Sequence, residues 1–536
     1  MRSVSLPAST GEMLICLEED TEVLDEVVVT ALGISRNERT LGYAATKVDA
    51  EEITKARTTN VATALAGKVA GVQVQSTSTD PGAASNIIIR GFSSVSGSNQ
   101  PLYVIDGVPL QNTTDYGNSS LRLDEKAASL GGISNVAAQD IESMTVLKGA
   151  AATALYGSRA AIGVVIITTK QGAKGEKRDF NIEYSGGVAF NQIANLPIFQ
   201  NQFGQGWNGQ QTFIENGSWG PALDGSIQVY GPIWNNQQLI HKFSAVPTNV
   251  KDFFDICISH NHNVSFSGAS ADNKMTYYAS YSYSGDNGVM PGDKDTYKRH
   301  TIAFRGSYEP IHWLKISSSV NFAKSKTDVV DTYQGTSVID GLYEFPRDIS
   351  LVDKADLSSP FNTPEAYLTP YGITNPYWAI ANNYHHSDAK QVYGKVQVDA
   401  KPVKGLTLTY RFGFDYTDAD TKIGMPQINL DDALITDDMG YPPSSMNQTG
   451  SVHARYRRLY ELNHDILATY QNKWGDFDLN IVAGVNINER ASTSLSATTS
   501  DLTFETGFWD LSNGANKDDI TESQSKRRSI RPQFPC

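Results

Sequence analysis

No run of about 18 consecutive apolar residues occurs in this 536-residue sequence, so it encodes no membrane-spanning helix. Cysteine is scarce. Cys16, Cys257 and Cys536 are odd in number and far apart, which argues against both a disulfide framework and a cysteine-held metal. Positive charge is outweighed: 44 Lys and Arg face 58 Asp and Glu, for a net charge of −14. Without a basic patch to offset it, that balance excludes a nucleic-acid surface. Met1 to Glu12 lack the basic start and apolar stretch of a signal peptide. P-loop, HExxH and nucleophile-elbow patterns are all missing. Gly204-Gln205-Gly206-Trp207-Asn208-Gly209 matches G-x-G-x-x-G by letter but lies in a Gly-rich stretch with no βαβ unit around it. His260 and His262, the pair His385-His386, and Asp415, Asp418 and Asp420 lack the further ligands at fixed spacing that a metal needs. No enzyme activity, metal or cofactor is expected.

What is present is β-forming sequence in two styles. The length exceeds what one hydrophobic core serves, so at least two domains are expected. The first, up to about residue 172, mixes helix and strand. Thr58-Thr59-Asn60 can cap a short amphipathic helix over Val61–Ala70. Val72–Gln75, Ile87–Ile89 and Leu102–Leu110 read as strands, the last carrying the turn dipeptide Asp106-Gly107. Ile141–Gly149 leads into a small-residue helix, Ala150–Tyr156, and Gly163–Lys170 is another strand.

From Phe180 onward the pattern changes to period-2 alternation. Leu406, Leu408, Tyr410, Phe412, Phe414 and Tyr416 alternate with Thr407, Thr409, Arg411, Gly413 and Asp415. Phe477 to Ile487 alternates likewise. A soluble sandwich also alternates, but these runs of about 10 to 14 residues exceed sandwich strands of about 5 or 6 and are long enough to cross a bilayer at a tilt. Short turns (269–273, 309–312, 401–405 and 472–475) alternate with long segments (191–261, 325–389, 418–452 and 492–522) rich in Gly, Asn, Asp and aromatics. That is the pattern of an outer-membrane barrel. Nine strands and an interrupted tenth can be counted, the last stopped where Pro532 and Pro535 follow Ile530. Plugged transporters use about 22 strands, so this chain is expected to supply somewhat less than half a barrel and not to close by itself. An arginine at outward Val485 is expected to be costly in a bilayer, and one at inward Asn486 far less so.

One stretch stands apart. Glu26-Val27-Val28-Val29-Thr30 strongly favours an extended backbone, and no hairpin partner is evident beside it. Such a segment suits strand addition to another protein's sheet edge. It resembles the TonB box, the strand that a periplasmic energy-coupling protein captures. The series EVVVTA, GVQVQ, IIIRGFSS, PLYVIDGVPL and VLKGAAATALYGSRAAIGVVIITTKQG, in that order, resembles the plug of TonB-dependent transporters. More narrowly it is similar to the SusC/RagA class of outer-membrane importers. One position departs from that pattern, Ile162, where asparagine is usual.

The resemblance implies a mainly β fold, an α+β plug followed by an antiparallel transmembrane β-barrel. Residues 1–23 are expected to be the remnant of an extension domain, with Met13–Asp20 as its last strand, and 24–36 the TonB box and linker. The plug would span 37–172 and the first part of the barrel 173–530, with an aberrant tail at 531–536. The implied function is TonB-dependent import of glycans or peptides in the outer membrane of a Gram-negative bacterium. The implied partners are TonB, a SusD-like surface lipoprotein and outer-membrane lipid. A siderophore or vitamin receptor of the same fold, or a secreted all-β adhesin or carbohydrate-binding protein, are the alternatives. Arg90, Gly91, Asp106, Gly107, Lys148 and Arg159 flank apolar strands and turns, where charge is tolerated only if paired. They could hold the small domain together, dock it against a polar barrel wall, or both. Trp207, Trp219, Trp234 and Trp378 in the long segments offer flat apolar faces for sugar or peptide, or anchor the loops.

Overall fold

The computed structural model describes residues 27–29, 35–37, 45–55, 61–76, 82–83, 85–92, 99–111, 132–148, 156–172, 180–212, 215, 217–330, 337–367, 374–430, 447–475, 477–504 and 507–533. Glu26, Thr30, Met13–Asp20 and all but the last residue of the expected helix Ala150–Tyr156 lie outside them. Val27–Val29 is a strand (β1), but it is not without a partner. It pairs antiparallel with β2, Ser35–Asn37, in a three-residue ladder. The five intervening residues are within the usual length of a hairpin connection, a possibility that the valine run alone did not reveal.

The next segment builds a small α+β unit. A five-stranded sheet has the order β3-β8-β9-β6-β7. These are β3 (Ala45–Asp49), β6 (Leu102–Ile105), β7 (Val108–Pro109), β8 (Ile141–Leu147) and β9 (Val164–Thr169). Strands β4 (Val72–Ser76) and β5 (Ser85–Ile89) form a separate hairpin. The expected helix over Val61–Ala70 is instead a 3₁₀ turn at Val61–Leu65. Gly67 and Gly71 take positive φ, and the Ala66 and Lys68 amides bond three residues back, so an α-helix cannot propagate. Asp106 (φ 49°) and Gly107 (φ 86°) form the tight β6–β7 turn that the sequence predicts.

From residue 181 the chain forms one ten-stranded antiparallel sheet of sequential neighbours. Its strands are β10 (Asn181–Asn191), β13 (Cys257–Ala269), β14 (Met275–Asp286), β15 (Thr296–Ile311), β16 (Leu314–Asp328), β17 (Tyr384–Val403), β18 (Leu406–Met425), β19 (Ser451–Trp474), β20 (Phe477–Leu502) and β21 (Gly514–Gln533). Between β10 and β13 lies a separate hairpin, β11 (Ile227–Trp234) with β12 (Gln237–Lys242). Several expected loop boundaries are corrected here. Residues 418–425, 384–389, 492–502 and 514–522 continue strands, because paired neighbours extend the ladder beyond the apolar run. Nor does Pro532 stop β21: it lies opposite Val485 on a strand at the edge of the described sheet, a place where proline is tolerated.

The alternation sorts side chains to two faces. Leu408, Tyr410, Phe304, Val320, Val396 and Ile466 are exposed on the outer face, whereas Arg411, Asp415, Arg305, Asn321, Glu461 and Asp465 are buried on the inner one. Leu408 to Tyr416 on β18 spans a band roughly 20 Å tall at about 3.3 Å per residue and the usual strand tilt. Asn486 is more constrained than its inward position implied. Buried, it donates to Asn463 Oδ1 and Asp465 Oδ1, each at 2.8 Å, so arginine there would break a wall network. Ser317, half-buried on the inner face of β16, is the better comparison. If the outer band meets lipid, Val485→Arg should cost about 2–4 kcal/mol and Ser317→Arg less than half of that, measured by equilibrium refolding into phospholipid vesicles. Equal costs at the two positions would exclude lipid contact for that band.

Candidate functional site: the seam between plug and wall

The inner face of the large sheet is polar because it lies against the small α+β unit. Asp140, at the start of β8, accepts from Tyr278 Oη (2.9 Å) and Ser280 Oγ (2.8 Å), and its Oδ2 lies 3.6 Å from Arg305 Nη2. Arg305 also donates to the Lys170 carbonyl at 3.2 Å and to Asn321 Oδ1 at 2.9 Å. Arg299 donates to the Ser134 carbonyl. Further round, Asn135 donates to Gln391 Oε1 (2.9 Å), Gln391 to Asp415 Oδ1 (2.8 Å), and the Gln111 amide to Asp415 Oδ2 (3.0 Å). Arg159 closes the series with two bonds to Glu461, at 2.5 and 3.1 Å. Arg531 Nη1 donates to the Tyr156 carbonyl at 2.5 Å. Wall strands from β13 to β21 therefore hold one small unit, and the sheet curves about it.

The β6–β7 turn reaches into this seam backbone first. The carbonyl of Asp106 accepts from Lys395 Nζ at 2.9 Å, and that of Gly107 lies 3.4 Å from Arg411 Nη1. A Cβ on Gly107 would displace the Arg411 guanidinium, and its positive φ itself favours glycine. The Asp106 carboxylate turns inward and accepts from the Thr169 amide (3.0 Å) and hydroxyl (2.7 Å), tying the turn to β9. Apolar contact is continuous across the same boundary. Tyr393 of β17 packs into the core built on Val48, Leu65, Ile105 and Met144, and Leu467 of β19 into that of Val104, Leu147 and Ile166.

At the opposite end, the long connections assemble a second apolar core of their own. Phe253, Leu342, Phe345, Ile349, Leu351 and Ile380 are all buried there. Asp348 is buried beneath it, accepting from the Gln205 amide (2.9 Å) and pairing with His241 Nε2 (2.8 Å). The letter match at Gly204–Gly209 is thus a hydrogen-bonded loop, buried at Gly204–Gly206 and exposed at Trp207–Gly209, bridged from Gly206 to Ser218. That loop carries Trp207 and Trp219, 54% and 60% exposed, with backbones linked through Gly209 N to Trp219 O at 2.9 Å. Trp234, ending β11, and Trp378, in the helix Pro376–Asn382, are half-buried elsewhere in the loops. Lys354 is buried beside Tyr230, donating to its hydroxyl at 3.2 Å, with Nζ 4.9 Å from the ring centroid. Burial pushes its ammonium down to about 8, opposed by the Asp353 carboxylate.

A profile described as the TonB-dependent Receptor Plug Domain matches residues 37–164. The TonB-dependent receptor SusC of Bacteroides thetaiotaomicron is 32% identical over 376 residues, 70% of this chain and 32% of SusC. Residues 37–164 are thus a TonB-dependent receptor plug domain, and the chain is similar to SusC well beyond it. TonB-dependent receptor P39 of Formosa agariphila is 30% identical over 430 residues, 78% of this chain and 36% of that protein. The chain thus spans about a third of the length of these relatives. The structure of the RagAB peptide importer in its open-open state superposes with a TM-score of 0.65 at 22% identity, covering 94% of this chain and 53% of that one. At that identity it speaks for the fold alone.

In this receptor the residues singled out from sequence divide. Asp106, Gly107 and Arg159 meet the wall. Arg90 does not: it is exposed at φ 58°, and among the described residues its amide bonds the Gly71 carbonyl (2.9 Å), with Gly91 exposed beside it. The turn between β5 and the next segment, rather than a buried charge, sets that position. Lys148 donates to the Ala70 carbonyl at 2.7 Å, inside the plug. Missed were Asp140, Asn135 and Gln111 on the plug and Glu461, Gln391 and Lys395 on the wall. Their signal was present, since charged and amide residues on the inward phase of long strands need partners.

Two outcomes follow. Glu461→Leu leaves the half-buried Arg159 without its carboxylate and should loosen the plug by about 2–3 kcal/mol, below the cost at a fully buried pair, while adding Arg159→Met recovers most of that loss. Urea melts of the plug in detergent would measure both, and a double variant no better than the single would remove this pair as a docking contact. For the loops, Lys354 keeps its proton to about 10.5 when unfolded but releases it near 8 when packed. The unfolded state then binds more protons between those values, so loop stability is lowest below pH 8 and rises towards pH 10.5. Lys354→Met should flatten that rise in urea melts followed by tryptophan fluorescence.

Proposed function

We propose that this receptor forms the plug and leading strands of an energy-coupled importer in the outer membrane of a Gram-negative bacterium. Glycans or peptides too large for porins are its cargo. TonB takes hold at Glu26–Thr30, and a SusD-like surface lipoprotein covers the external loops. The observation that carries this reading is the position of β3. It follows the β1–β2 hairpin directly in sequence and lies at the edge of the plug sheet, bonded on one side to β8. Force applied to β1 reaches β3 first, and an edge strand can be peeled one pair at a time. Because β3 carries Ala45 and Val48 into the two apolar cores, its removal opens both.

The hairpin changes how the first step must run. β1 has one edge occupied by β2, so TonB either adds to the free edge or displaces a three-pair ladder. Either route is low in cost, as isolated two-stranded hairpins are marginal in water. At the far end, Trp207 and Trp219 supply exposed stacking faces beside an amide-rich loop, chemistry that suits a sugar ring or a peptide plane. RagAB is a peptide importer, and SusC is a TonB-dependent receptor. Both support import as the class, and neither chooses the cargo.

Val28→Pro should weaken binding of a purified periplasmic TonB domain by more than about tenfold and abolish uptake, because proline removes the central donor of the added strand. Arg36→Pro, opposite Val28 on β2, should leave TonB binding intact or improve it by freeing β1. Undiminished uptake by the Val28 variant would refute coupling through this strand.

A further inference from the structure

The outer face of β15–β18 changes character within one cross-strand step. One row of partners reads Ile302, Phe322, Val392 and Tyr416, and the next row outward reads His300, Lys324, Lys390 and Asp418. One row further, Lys298 faces Lys326. Four lysines and a histidine thus crowd three neighbouring strands at the upper rim of the apolar band. Like charges directly opposite each other destabilise an antiparallel pair, and here Lys298–Lys326 and Lys324–Lys390 are stacked on successive rows.

Carboxylates of the protein compensate the patch on its upper and β17–β18 sides, Asp328 beside Lys326 and Asp418 and Asp420 beside Lys390, and leave the β15–β16 rows the more basic part. Lys326 Nζ stands 4.0 Å from Asp388 Oδ2. Asp418, opposite Lys390, is 3.8 Å from Arg458 Nη2. Among the described residues Lys298, Lys324 and Lys390 form no ion pair; Lys298 and Lys390 are exposed and Lys324 half-buried. His300 is held by the Tyr281 hydroxyl at its Nδ1, 2.8 Å away, at the same boundary.

We propose that this patch binds the phosphorylated headgroup of an outer-leaflet glycolipid, with phosphates between the facing lysines and acyl chains along Ile302, Phe322 and Val392. The lysine rows sit where headgroup phosphates lie if the band below them meets acyl chains, a reading that the Val485→Arg experiment tests separately. A soluble anion would meet the same charge but make no use of the apolar row. The carboxylates Asp388, Asp418 and Asp420 bound the patch on the β17–β18 side, so the anion is drawn towards β15 and β16.

Native mass spectrometry of the whole protein in neutral detergent provides the test, with bisphosphoryl lipid A, its dephosphorylated form or inorganic phosphate added. The phosphorylated lipid should bind more tightly than the dephosphorylated one. Each lysine lost should weaken it about fivefold, and Lys298→Gln with Lys324→Gln and Lys390→Gln about a hundredfold. Arginine at those three positions should retain binding, as should Lys401→Gln with Lys404→Gln at the opposite rim. Equal binding of the two lipids, full competition by inorganic phosphate, or retention by the triple glutamine variant would overturn the proposal. Should that variant not fold, Lys390→Gln alone decides: unchanged affinity refutes the site and a fivefold loss supports it.

Discussion

Buried charge on the inner wall of the large sheet is only partly paired within the sheet and completes its pairing across a boundary, and the rest of the architecture depends on that requirement. Glu461, Asp415 and Arg305 are held by strands whose outer neighbours form a greasy band, so they cannot turn outward. Each is answered by a group on the plug: Arg159, the Gln111 amide, Asp140. A seam made of hydrogen bonds and ion pairs is directional and can be broken one contact at a time, with water taking each site as it is vacated. An apolar seam of the same area would have to be exposed all at once. Among the described residues the wall contributes two side chains, Tyr393 and Leu467, to the plug's apolar cores, which keeps that greasy part of the docking small.

The two ends of the molecule are stabilised differently. Turns at the β14, β16, β18 and β20 starts are short and polar, whereas the opposite connections build a packed core of their own around Phe253, Leu342 and Ile349. Within that core Arg347 donates to the Gln200 carbonyl and Asn375 to the carbonyls of Lys354 and Asn362, so segments far apart in sequence are fixed to one another.

Period-2 patterning made the long strands and their two faces legible, and the hairpin at Asp106-Gly107 could be read from a dipeptide. The limits of strands β17 to β21 could not, because ladder bonds to a neighbour sustain strand where the side chains no longer alternate. The 3₁₀ turn at Val61–Leu65 was obscured by a composition that also suits a helix. Of the plug residues singled out from sequence, Arg159 reaches the wall and Arg90 lies exposed. A sequence reports that an arginine borders a strand, but not whether its backbone turns it outward, as φ 58° does at Arg90.

By itself, the sequence determined the class of the protein: the ordered plug motifs, the valine run ahead of them, and the in–out alternation of long strands are local patterns that need no neighbour. Tertiary structure alone decided which charges meet. Arg159 and Glu461 are separated by 302 positions, and Asn135 and Gln391 by 256. No local propensity links residues so far apart. Their pairing follows from the sheet's curvature and register, which set where each inward side chain arrives on the plug.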